Sequence, residues 1–192
     1  MSYPLRHISA GLIKRRGIKP RKAGVTESAI FAVIMGGAGL ALTLAAGTGL
    51  KLIYLFGLLC AGAIITEIDL KNRIIPNELI IFLIIWSLIF GILKAVEFKL
   101  LLSLAGMAIC LIIFLLPAAL KKQVGAGDIK LACALGFSAG IPGCLYAVAL
   151  MGGLIMLYIM LARREPLLLM LKKLVPMGPF MAAALIAVQA VR

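Results

Sequence analysis

The chain has 192 residues, of which 64% are apolar and 14% charged, and its mean hydropathy is +1.16. A soluble domain of this size needs a polar surface, so these proportions exclude one and make lipid the solvent for most of the chain. The formal net charge of +13 does not point to nucleic acid: the Lys and Arg residues sit between apolar segments rather than among aromatics, as the positive-inside rule and attraction to anionic headgroups require.

Residues 1–26 carry Arg6, Lys14, Arg15, Arg16, Lys19, Arg21 and Lys22 and no acid, and read as a basic cytoplasmic tail. Residues 27–192 form one transmembrane domain. Thr26 is a suitable cap for an uncharged first span over 28–47. Further spans are expected over 50–68, 77–93 and 100–120. After Gly125-Ala126-Gly127-Asp128 comes an apolar piece, 129–139, too short at about 1.5 Å per residue to cross a core of roughly 30 Å. It ends at Gly140-Ile141-Pro142-Gly143 and reads as a half-length or broken helix. A span over 144–161, an amphipathic interfacial stretch over 163–173 and a last span over 174–191, interrupted by Pro176 and Pro179, complete an all-α polytopic bundle of six full spans plus one short helix.

With the tail inside, the tail, the 69–76 loop, the 121–130 loop and the 163–173 stretch hold 7, 2, 3 and 4 basic residues, 16 of the 20. This bias places the ends bearing Asp69 and Asp128 on the cytoplasmic side of a cytoplasmic membrane. Cys60, Cys110, Cys133 and Cys144 lie singly in apolar runs, and His7 is the single histidine. No zinc pattern results, and neither metal nor cofactor is expected.

Asp69 and Asp128 are the chain's two aspartates, beside five glutamates. Carboxylates near the bilayer are costly and call for a solvated, paired or functional explanation. Taken singly, Asp69 reads as a helix-end carboxylate beside Lys71 and Arg73, and Asp128 as a helix N-cap. Glu67 suits an i,i+4 pair with Lys71. Gly125 and Gly127 exceed what a cap needs, since they let another backbone come close. Two carboxylates brought together share a proton, one acting as general base on a water and the other as general acid on a scissile carbonyl, with no need of metal, cysteine or histidine.

Three stretches in order resemble the type IV prepilin peptidases, which are G-x-G-D membrane aspartic peptidases. They are Asp69 with Pro76-Asn77 seven residues later, Gly125-Ala126-Gly127-Asp128-Ile129-Lys130-Leu131, and Pro176-Met177-Gly178-Pro179-Phe180. The resemblance covers roughly residues 60–185 and implies that Asp69 and Asp128 are the catalytic pair, cutting at the cytoplasmic face. It implies a pilin-like or flagellin-like precursor as substrate, cleaved between a short basic leader and a hydrophobic helix that stays in lipid. Around the pair, Gly125, Gly127, Pro76, Asn77, Lys130, Gly178 and Pro179 are expected to form the substrate-binding surface. For Lys130, snorkelling to the interface is an equally physical role, as is a helix kink for Gly178 and Pro179. Larger bifunctional members carry a zinc-binding insert with paired cysteines that accompanies N-methylation. Without it, this chain is similar to the short, peptidase-only form of tight-adherence pilus or preflagellin systems. The alternative from another class is a small transporter or channel subunit using Asp69 and Asp128 as proton or cation sites, for which the chain offers no internal inverted repeat.

Overall fold

The structure, a computed structural model, describes residues 49–93, 96, 98–119, 125–161 and 177–191. The basic tail, the expected span 28–47, Lys121, Lys122, the stretch 163–173 and Pro176 lie outside the described residues. The described chain is all-helical: α1 (Gly49–Asn72), α2 (Asn77–Ile92), α3 (Leu100–Ala119), α4 (Ala126–Leu161) and α5 (Gly178–Val191).

Gly49–Asn72, Leu100–Pro117 and Ala126–Met160 are long and apolar enough to cross a membrane, whereas Asn77–Ile92 and Gly178–Val191 are apolar but shorter. The expected count of six full spans is therefore supported only in part. The 16 residues of α2 rise about 24 Å, short of a core of roughly 30 Å.

α1 ends where Arg73 adopts a left-handed conformation (φ 53) and donates its backbone N–H to the Asp69 carbonyl at 2.8 Å. This closes the last turn in the manner usually served by glycine. Ile75 is buried, and Pro76, with φ −65 and ψ 134, starts α2. The fixed proline φ makes the reversal tight.

α4 is two arms rather than one rod. Gly140 leaves helical geometry at φ 62 and ψ −173, a region glycine enters without a Cβ clash. Thirty residues separate Asp128 from Tyr158, which on a straight helix would stand about 45 Å apart. Yet the Tyr158 ring lies 5.6 Å from that of Phe180, two residues beyond Gly178, which touches Asp69. The second arm thus folds back toward the aspartates, as the short piece followed by a separate span in the sequence implied.

α1 and the first arm of α4 each pack against both α2 and α5, which makes a ring of four helices; α3 lies outside, against α4. Leu58, Ile65, Leu83, Leu135 and Met181 fill its axis. α3 approaches α4 at backbone distance: a Cβ on Gly106 would lie 2.5 Å from the Gly136 carbonyl oxygen, and one on Gly136 2.3 Å from that of Gly106. Gly136 and Gly140 are four apart and face α3, the small-residue spacing that membrane helices use for close contact.

Near the far end of the ring, buried polar groups join all four helices. The Ser138 hydroxyl donates to the Ala134 carbonyl at 2.9 Å. Its oxygen therefore accepts from Ser87 at 2.6 Å. Tyr54 lies 3.4 Å from Ser87, and Gln189 Nε2 donates to the Ser138 carbonyl at 2.6 Å.

Candidate active site

The C-terminal end of α1 meets the N-terminal ends of α2, α4 and α5 at one end of the ring. Asp69, in the last turn of α1, is only 4% exposed. Its Oδ2 accepts the backbone N–H of Gly178 at 2.9 Å, which gives a partner to a buried oxygen that would be costly to leave unpaired. A Cβ at position 178 would stand 2.8 Å from that oxygen and 3.1 Å from the Asp69 Cβ, so this approach requires glycine. Pro179 is buried behind it.

Asp128 lies in the first turn of α4 and does not cap it. The helix begins at Ala126, Asp128 N–H bonds the Gly125 carbonyl at 3.0 Å, and the carboxylate folds back over Gly125, where a Cβ would meet Oδ2 at 2.8 Å. This is the back-reaching geometry of the third residue of a capping box. The cap reading placed Asp128 three residues too early because Gly125 takes the cap position.

Gly127 gives its surface to Ile75: a Cβ there would lie 3.2 Å from the Ile75 Cβ. Lys130 Nζ donates to Asn77 Oδ1 at 3.2 Å, across the same gap. Asp69, Arg73, Ile74, Ile75, Asn77, Gly125, Ala126, Gly127, Asp128 and Lys130 together line a cavity of about 270 Å³.

Asp128 stands within electrostatic reach of Asp69, and Asp69 within reach of Arg73. The N-termini of α2 and α4 direct their positive dipole ends at the cavity, and that of α5 meets Asp69 from behind, all favouring negative charge there.

Of the residues singled out from sequence, Asp69, Asp128, Gly125, Gly127, Asn77 and Lys130 share the cavity. Gly178 and Pro179 sit behind Asp69 instead, and Pro76 is buried as the start of α2. Glu67 bonds Lys71 as an i,i+4 ion pair, and neither it nor Glu78 lines the cavity. Arg73 and Ile75 were not anticipated as parts of the site. The signal for Arg73 was its place four residues after Asp69, one helical turn on; none marked Ile75.

A sequence model described as the type IV leader peptidase family matches residues 53–161. No curated protein and no solved structure matches the chain significantly.

Proposed function

From the premise that this chain belongs to the type IV leader peptidase family, we propose that it is an aspartic endopeptidase whose catalytic pair is Asp69 and Asp128. Two acids from segments 59 residues apart in the chain line one cavity, and this observation carries the reading. The cavity is the place where a water molecule and a scissile peptide bond meet. One carboxylate removes a proton from the water, whose oxygen attacks the scissile carbonyl carbon, while the other carboxyl gives its proton to the carbonyl oxygen. The tetrahedral diol collapses as the leaving nitrogen takes a proton from the pair and one diol hydroxyl returns its proton to it; the C–N bond breaks, the carbonyl re-forms, and the dyad again holds one proton between two acids. The two acids titrate as a unit, and no single residue owns the proton.

The substrate is a pilin-like or flagellin-like precursor. Its hydrophobic helix remains in lipid, and the junction with its short basic leader extends into the cavity at the cytoplasmic face. Gly125, with no side chain, lets the Asp128 carboxylate fold over it at the cavity, and Gly127 admits Ile75 against the same turn. Asp69→Asn and Asp128→Asn each retain a carboxamide of nearly the same shape but cannot exchange the proton. Each variant is expected to lose cleavage of a coexpressed precursor by at least roughly 10³-fold while inserting in membranes like the parent. Cleavage retained by either variant rejects the assignment.

A further inference from the structure

The two acids need a fixed spacing, because a misplacement of about 1 Å can cost on the order of 100-fold in rate. Asp69 is held from behind by Gly178. Among the described residues, no hydrogen bond from another helix reaches the Asp128 carboxylate. Its turn is instead tied to the α1–α2 reversal at two points: the contact of Gly127 with Ile75, and the bond from Lys130 Nζ to Asn77 Oδ1 at 3.2 Å. Asn77 follows Asp69 by eight residues and opens α2; Lys130 follows Asp128 by two.

We infer that the Asn77–Lys130 hydrogen bond is a strut that sets the spacing of the two aspartates, so that both residues position the catalytic pair instead of binding substrate. A lysine that only snorkels would extend toward headgroups; here its ammonium turns across the cavity mouth to an amide oxygen. The acceptor's chemistry fits the role. An amide accepts the bond without placing a third carboxylate beside a pair that must share one proton. The lysine also keeps a positive charge at the cavity, which Arg73 lines as well. This inference rests on the peptidase reading above.

The full-length protein and a synthetic pilin-like precursor supply the test. Lys130→Met and Asn77→Leu are each expected to lower kcat roughly 10- to 100-fold, with KM changed less than about twofold. The exchange Asn77→Lys with Lys130→Asn rebuilds the bond with donor and acceptor reversed and is expected to recover most of the loss. Lys130→Arg, which keeps a donor and the charge, is expected to recover part. A rise in KM at unchanged kcat makes Lys130 a substrate ligand and overturns the strut, as does an exchanged pair no better than the single variants. Wild-type protein that cleaves no precursor overturns the peptidase reading, and the strut's catalytic role with it. A cleaving wild type with uncoupled variants overturns the strut alone. Thermal unfolding in detergent of the wild type, Asn77→Lys, Lys130→Asn and the exchanged pair gives a second readout: additive effects of the two single changes also reject the tie.

Discussion

Gly178 serves the site through the side chain it does not have. With a Cβ 2.8 Å from Asp69 Oδ2, Gly178→Ala must push α5 or the carboxylate aside, and either movement stretches the 2.9 Å bond that holds it. The expected result is a fall in kcat of roughly 10- to 100-fold with the protein still folded, measured by single-turnover cleavage beside size-exclusion elution. At this scale the sequence was informative about chemistry and poor about contacts. The two aspartates stood out because carboxylates are scarce in an apolar chain. Gly178 was legible only as a possible wall or kink, since its partner lies 109 residues away. Ile75 gave no signal, because an isoleucine in an apolar chain looks the same whether it faces lipid or a glycine of the active-site turn. Arg73 stood in the sequence only as a basic neighbour of Asp69, and its left-handed φ of 53 is a property of the turn that composition does not encode.

Among the helices, the break in α4 decides where the first arm can end. Pro142 has no N–H, so the carbonyl of Ser138, four residues earlier, lacks its helical donor. Gln189 supplies that donor from α5 at 2.6 Å. Gln189→Leu leaves a buried carbonyl unpartnered and is expected to cost about 1–3 kcal/mol, read as a lowered unfolding midpoint in detergent. Gln189→Glu, if it stays protonated in this apolar setting, restores a single donor and with it part of the loss. The break itself was legible in Gly140-Ile141-Pro142-Gly143, because glycine and proline state their own backbone consequences. The return of the second arm was legible only as a length argument. The polar link through Ser87, Ser138 and Gln189 was not, since two serines and a glutamine on three separate helices carry no periodicity that betrays a shared partner. The Gly136–Gly140 spacing was passed over for a similar reason: it matters only once Gly106 is brought against it.

For the whole molecule, four helices in a ring bring one C-terminus and three N-termini together at the end that holds Asp69 and Asp128, opposite the end holding the Tyr54, Ser87 and Gln189 cluster. Glu78, exposed in the first turn of α2, and Lys99, exposed just before α3, bracket one descent through the ring. If the cavity faces the cytoplasm, Glu78→Cys reacts with a membrane-impermeant maleimide only in inside-out vesicles, and Lys99→Cys only in right-side-out ones. Labelling of both from the same side rejects that orientation. The positive-charge bias that suggested it rests largely on the tail and on 163–173, outside the described residues, so the labelling is an independent check. One dimension of this ring bears on how a hydrolase obtains water inside a lipid phase. α2 spans only 16 residues, and the arm carrying Asp128 stops at Gly140, so two walls of the site are shorter than the hydrocarbon they stand in. A bilayer meets such a mismatch by thinning locally, which draws headgroups and their hydration down to the acids. Reconstituted enzyme is therefore expected to cleave faster in bilayers of short-chain phosphatidylcholine than in long-chain ones at matched fluidity, and a rate indifferent to chain length would show that water reaches the pair by another route.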